Sequence, residues 1–467
     1  MPSASLGTIL NTFAYEKHEM TNYLLKCERH FQRLISAVSE TGGTFWPSVL
    51  DVRTGRYPED DHVPQRVYRL IGAPRGSTLY WDQPSIVATH GLSELTGHKR
   101  YAEAADGYIE AFLSRCVADN GIFRWGNHAY YDVVRDEVIE FHNGYHELRP
   151  ITPAWNLFWR HAPERTARYI RAMAGRHVYD PRTGAFNRHD DGKKGHAFIE
   201  AGGILSESLA WLHGKTGEQG LLDTALRIAR YSYGHRDPAT GLVPNEPDMG
   251  RWDSKVSTSE VGLWAQCLLR ANQYTDSGDF IEMASNAVSA YMDCAFDEKT
   301  GRFFGQVGLR DGKPVIPEQS GYWPRQYSDP WNTDQWPTHD YPMSTAEACL
   351  SLHQLTGDSR FLEGVRRWAA VALDGRQGHG KAWAYAESYG RCIHFLTRAG
   401  LHLGEDRLLT DARALADEAL DRLWDDGMFQ GYPDEHLYES VDGIGFLLLA
   451  LMFLENRSAI NMHGLGF

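Results

Sequence analysis

The chain has 467 residues, a net charge of −14, 23% charged side chains and 42% hydrophobic ones, a composition that suits a globular protein with a large core. The acidity, with no basic stripe anywhere in the sequence, argues against a nucleic-acid partner. No run approaches the ~20 apolar residues needed to span a bilayer, so no membrane partner is expected either.

The first element is a helix from about Ala14 to Ser39, with Tyr23, Leu24, Leu25, Phe31, Leu34 and Ile35 at helical spacing. Gly42-Gly43 ends it, and Phe45-Trp46-Pro47, a turn at Asp51 to Gly55 and a loop with Pro58, Pro64 and Pro74 follow. A second helix is expected from near Gln83, carrying Leu92 and Leu95 and stopping at Thr96-Gly97.

From there two marks alternate. Helices end at Leu95-Thr96-Gly97, Lys215-Thr216-Gly217, Asp276-Ser277-Gly278, Leu355-Thr356-Gly357 and, loosely, Leu401 to Gly404, where a glycine is the expected stop. Reverse turns follow at Asp180 to Gly184, Asp237 to Gly241 and Asp297 to Gly301, each spelling Asp-x-x-Thr-Gly, with a degenerate copy at Asp425-Asp426-Gly427. Helical hairpins repeated at irregular intervals, interrupted by an aromatic insertion from Gly321 to Met343, predict an all-α fold. It is an α/α toroid of six or seven hairpins, read as a single domain over residues 1–467. The stretch Gly431 to Glu439 is expected to close the ring against the first hairpin, and Ile444 to Leu454 ends the last helix.

The 14 Trp, 23 Tyr and 19 Phe are mostly core material, though their number mildly favours a carbohydrate ligand, since sugars lie on flat aromatic faces. The N-terminal Met-Pro-Ser-Ala-Ser-Leu-Gly lacks a charged segment followed by an apolar core, so no signal peptide is read and a cytoplasmic location is expected. Cys27, Cys116, Cys267, Cys294, Cys349 and Cys392 form no C-x-x-C pair and read as reduced core residues.

The chemistry concentrates between Gly121 and Lys194, which hold His128, His142, His146, His177 and His189. His128, Glu147 and His189 form a candidate ligand set for one divalent metal. Mixed nitrogen and oxygen donors suit Mn²⁺, put first, or Zn²⁺, Ni²⁺ or Fe²⁺, better than Ca²⁺. On residue types alone, the plainer reading is stronger: histidines that hydrogen-bond in a polar cleft.

The segment Trp125-Gly126-Asn127-His128-(x)3-Asp132, with His146-Glu147-Leu148 and Arg188-His189, resembles the family 2 polysaccharide lyases. These are metal-dependent pectate lyases with an α/α barrel, and the likeness runs over about residues 83–194. It implies that His128, Glu147 and His189 hold the catalytic metal and that Arg188, beside the second histidine, is the Brønsted base. Asn127 stands where the family usually has a second glycine.

The implied reaction is β-elimination on an acidic, uronate-containing oligo- or polysaccharide such as pectate. Removing the C5 proton requires the adjacent carboxylate to be neutralised, which a Lewis-acidic ion does. An arginine base is unusual because guanidinium is normally always protonated. Tyr131, His142 and Lys193 therefore remain alternatives for that role.

Candidate substrate contacts are Arg124, the Arg251-Trp252 to Lys255 segment, and the aromatic insertion with Trp323, Arg325, Tyr327, Trp331, Trp336 and His339. A packed loop would explain the insertion equally well. Two other enzyme classes fit the same toroid. A glycoside hydrolase on unsaturated or acidic saccharides would draw two carboxylates from Asp329, Asp334, Asp340 and Glu347. A sugar epimerase would use His339 and His394.

Overall fold

The computed structural model of the chain describes residues 22–40, 43–59, 62–64, 75–126, 128–141, 144–191, 197–248, 253–316, 326–331, 342–378 and 384–466. Among these are fourteen α-helices: α1 (Asn22–Glu40), α2 (Leu79–Thr96), α3 (Arg100–Arg115), α4 (Trp155–His161), α5 (Pro163–His177), α6 (Ile199–Thr216), α7 (Gln219–Gly234), α8 (Thr258–Thr275), α9 (Gly278–Ala295), α10 (Met343–Thr356), α11 (Ser359–Gly378), α12 (Ala386–Leu403), α13 (Asp406–Leu423) and α14 (Ile444–Asn456).

Two kinds of helix alternate. α2, α6, α8, α10, α12 and α14 are apolar or small-residue around much of their circumference and buried along most of their length. Helices of that composition belong inside. α3, α7, α9 and α13 instead bury one face and show charge on the other. The inner helices pack side by side in the order α6, α8, α10, α12, α14, α2, each backed by an outer partner, with α1 lying against α14. This is an α/α toroid of seven hairpins. The ring closes where Val49–Asp51 pairs antiparallel with Leu437–Glu439, the second strand falling in the stretch expected to do so. Among the described residues no helix is long and apolar enough to cross a membrane.

Local chemistry explains the turns. Gly97, Gly217, Gly357 and Gly404 adopt the left-handed conformation that stops an inner helix. In α8 that role falls to Asp276 (φ 53°), and Gly278, expected as the stop, opens α9 instead. In each Asp-x-x-Thr-Gly turn the glycine N–H returns to the aspartate carbonyl, at 2.9 Å for Gly184 and 2.8 Å for Gly241 and Gly301. Gly184 has no room for another residue, because a Cβ there would lie 2.5 Å from the Arg227 carbonyl oxygen.

Two boundaries differ from expectation. The part of the first helix read before Asn22 lies outside the described residues. α2 begins at Leu79 rather than near Gln83, with Pro84 inside it. Proline removes the N–H that the Tyr80 carbonyl would receive; the Gln83 amide replaces it, donating to Tyr80 O at 3.1 Å.

One irregularity positions everything that follows. α4, the inner helix of the second hairpin, has seven residues where α2 and α6 have eighteen, so it is about 10 Å long against about 27 Å. The described residues between α3 and α4 are strands, turns and short connections, including Ala129–Asp132 and Glu137–Glu140. Glu147 among them bonds Arg188, which approaches Glu200 in the first turn of α6, at the mouth formed by the N-terminal ends of the inner helices.

Candidate metal and active site

His128 immediately precedes the strand Ala129–Asp132, which is held between Gly76–Ser77 and Glu137–Glu140. Its Nδ1 lies 2.7 Å from the Tyr145 carbonyl. A carbonyl only accepts, so Nδ1 carries the proton and Nε2 keeps its lone pair. That Nε2 lies 3.8 Å from Glu147 Oε2.

Glu147 and His189 are brought together by backbone pairing. Leu148 N–H donates to Arg188 O at 3.0 Å and Asp190 N–H to His146 O at 3.1 Å, which places Glu147 opposite His189 in an antiparallel bridge. His189 Nε2 is 3.3 Å from Glu147 Oε1. One ligand atom from each of His128, Glu147 and His189 lies within 4.8 Å of the others, and the two imidazoles are nearly parallel with centroids 5.5 Å apart. Ligands each about 2.0–2.2 Å from a common ion stand roughly 3–4 Å apart, so this donor set fits a divalent cation.

The electrostatics keep the carboxylate ready. Burial pushes the Glu147 carboxyl up, but Arg188, Arg149 and His189 together hold it well below the usual glutamate range. Arg188 Nη2 donates to Glu147 Oε1 at 2.6 Å and Arg149 Nη1 to the same oxygen at 3.2 Å. Arg188 also approaches Glu200, in the first turn of α6, at 4.0 Å.

Behind the cluster runs a chain of buried groups. His177 Nδ1 donates to Asn187 O at 2.8 Å, so its Nε2 accepts from His146 Nδ1 at 2.7 Å. His146 Nε2 then accepts from the Tyr169 hydroxyl at 2.7 Å. Burial lowers both histidines, His146 well below its ordinary value and His177 to about 4, and the neutral rings this leaves match that pattern.

The other sequence candidates divide sharply. Arg124 pairs with Glu140 at 3.0 Å, on the strand beside His128. Lys255 opens a strand paired with Gln306–Gly308, next to α8. Two assignments, those of Tyr131 and Trp331, need correction. Tyr131 stacks on Phe45 at 3.8 Å and its hydroxyl is held by Arg115 and Asp136, none of which belongs to the cluster, so it is a packing residue and no base. Tyr327 stacks on Phe304 and donates to Asp297 at 2.8 Å. Trp331 is buried, with its indole N–H on Ala372 O at 2.8 Å. Trp331 is therefore a core residue and no substrate contact, while half-buried Tyr327 has its ring and hydroxyl engaged by these partners.

Asp329, a hydrolase candidate, accepts from Trp331 N–H at 2.9 Å and pairs with Arg302. Glu347 and His394 meet each other at the opposite end of the ring. His142, Lys193, Arg251, Trp252, Trp323, Arg325, Asp334, Trp336, His339 and Asp340 lie outside the described residues. Arg149 and Glu200 were missed. Arg149 had a signal, since two positions along an extended segment return to the same side as Glu147.

The fold and the site together define an α/α toroid with a carboxylate and two imidazoles gathered at its N-terminal mouth. Residues 82–242, about a third of the chain and including His128, Glu147, His189 and the neighbouring Arg188, match the family model described as periplasmic pectate lyase. The pectate disaccharide-lyase of Dickeya dadantii (strain 3937) is 31% identical over 103 residues, which is 21% of this chain and 19% of that protein. The match thus spans about a fifth of the relative's length.

Among solved structures, the cellobiose 2-epimerase of Bacillus thermoamylovorans B4167 is 10% identical with a TM-score of 0.50, covering 93% of this chain and 98% of the other. The GH76A alpha-1,6-mannanase of Salegentibacter sp. HEL1_6 is 11% identical with a TM-score of 0.48, covering 93% and 100%. At such identities the epimerase likeness is one of fold alone. The periplasmic description of the matching family overturns the cytoplasmic location expected from the N-terminal sequence.

Proposed function

We propose that the chain is a carbohydrate-active lyase that cleaves a uronate-containing oligo- or polysaccharide, pectate-like, by β-elimination. The observation that carries this reading is the meeting of His128, Glu147, His189 and Arg188 at one point, within the segment that matches the pectate lyase model. His128 Nε2, the Glu147 carboxylate and His189 would hold a divalent ion, Mn²⁺ first. When bound, the ion supplies a Lewis acid for the uronate carboxylate next to the reacting carbon.

The chain's own groups do the rest. Arg149 and Arg188 keep Glu147 ionised and in place. The Tyr145 carbonyl fixes the tautomer of His128. Arg188, standing against Glu147, must first give up a proton to solvent; its neutral form then takes the C5 proton, the electron pair forms the new double bond as the C4–O bond breaks, and the departing oxygen takes a proton from solvent.

The test is polygalacturonate with the purified chain. Elimination generates the ultraviolet band of an unsaturated uronide, and chelator abolishes it. New reducing ends without that band would assign hydrolysis, and activity that survives EDTA would remove the metal. Arg188→Lys should keep part of the activity with its pH profile moved to lower pH, because an ammonium gives up its proton far more readily than a guanidinium. Arg188→Ala at wild-type rate would sink Arg188 as base.

A further inference from the structure

The C-terminal halves of α8, α10, α12 and α14, with the tail after α14, wall a cavity of about 730 Å³ at the other end of the ring. That is the size of a small-molecule site. It shares no lining residue with the His128–Glu147–His189 cluster. Along α8 alone, Arg270 on its wall stands about 15 Å from Glu260 at the opposite mouth. The tail is fixed in place: Gly466 N–H donates to Thr152 O at 3.3 Å, and His463 O accepts from Asn156 N–H at 3.0 Å.

The cavity is built with polar groups in matched pairs. Glu347, buried, accepts from His394 Nδ1 at 2.6 Å on one oxygen and from Arg398 at 2.6 Å on the other. Arg398 continues to Gln354 at 2.6 Å and Ser351 at 3.0 Å. On the facing wall Arg270 grips Glu207 through two bonds of 2.8 Å. Compared with well-packed apolar residues in the same place, buried ion pairs gain little net stability. Charged groups held rigidly around an interior space instead mark a place for a ligand.

Its chemistry follows from the pairing. Arg270 and Arg398 are each matched by a carboxylate, while Arg457 stands exposed on the rim, so the deeper walls offer directional donors and acceptors with little net field. Carbonyl ends of parallel helices converge on this mouth and disfavour an anion. The Gln266 and Gln273 amides add further hydrogen-bonding groups, and Phe453 and Tyr274 add apolar faces.

We infer that this far cavity is a second binding site, for a small, uncharged, hydroxyl-rich saccharide of one or two sugar units. The inference stands independently of the lyase reading of the other mouth.

The experiment is calorimetric titration of the full chain with galactose and with lactose, and with galacturonate and inorganic phosphate as charged controls. A neutral sugar should bind, and binding should weaken by about tenfold or more in the rim variant Gln273→Ala/Arg457→Ala, as loss of directly bonded polar groups requires. His394→Ala should act in the same direction; the rim positions, both exposed, keep the test decisive if that floor variant fails to fold. Binding should be unchanged in His189→Ala. The inference is overturned if no neutral sugar binds, if only the charged controls bind, or if binding survives the rim change and is lost with His189.

Discussion

Glu147 carries more of the site than any other side chain, since two guanidinium groups and two imidazoles converge on it. Replacing it by glutamine leaves Arg149 and Arg188 buried without their carboxylate. Removing one partner of such a group costs about 3–5 kcal/mol. Glu147→Gln should therefore lower the melting temperature even of metal-free protein, and an unchanged melting temperature would show that the two arginines are neutralised by other means. Glu347 makes a pH prediction. Although burial pushes its carboxyl up, His394 and Arg398 hold it down at about 2, against an ordinary 4.5. Its folded value is depressed, so the stability it contributes is complete above about pH 4.5 and lost as the pH falls towards 2. That amounts to something on the order of 3 kcal/mol. In Glu347→Gln the acid limb of a stability–pH curve should flatten; an unaltered limb would contradict the pairing. At this scale the sequence was legible where a motif tied residues together, as with His128, Glu147, Arg188 and His189. It was not legible for Trp331. An aromatic side chain reads alike whether it faces a cleft or, like Trp331, bonds a backbone carbonyl inside the ring.

Helix stops and turns were readable because glycine and aspartate act through their own backbone conformations, as at Gly97 and Gly217. α2 starts at Leu79, ahead of the expected Gln83, and the structure accommodates Pro84 within it through Gln83. That side chain is doubly employed: its amide donates to Tyr80 O, and its carbonyl accepts from Ala154 N–H at 2.9 Å. Gln83→Ala should orphan both buried backbone groups and cost about 2–4 kcal/mol at ~1–3 kcal/mol for each. Calorimetric unfolding measures this, and a loss below about 1 kcal/mol would mean that water replaces the amide. α4 is the seven residues Trp155 to His161, with Pro150 and Pro153 just ahead of it, and only the ring shows that an inner helix as long as α2 or α6 would otherwise stand there.

The toroid itself followed from repetition, since seven hairpins leave similar marks even when their spacing varies. Ring closure concentrates cost at the seam. Tyr438, on one of the two paired strands that close the ring, is buried with its ring 5.7 Å from that of His30 in α1. Tyr438→Ala should cost about 3–5 kcal/mol, as for other large buried aromatics, and should loosen α1 and α14 together. Limited proteolysis would then cut both helices at similarly raised rates; cleavage confined to one would show that the seam does not couple them.

The antiparallel bridge between Glu147 and His189 has a consequence for how the site can be watched. Leu148 N–H and Asp190 N–H close that bridge, and each sits beside a ligand residue on one segment while bonding to the other. Their exchange with deuterated water requires the two segments to part, which also scatters the ligand atoms. A cation at 100 times its dissociation constant stabilises the closed form by about 2.7 kcal/mol, so it should slow deuterium uptake at these two amides roughly a hundredfold. The protein thus contains a pair of intrinsic reporters of occupancy that need neither substrate nor turnover. Equal uptake with and without the ion would show that the bridge opens without disturbing the ligands.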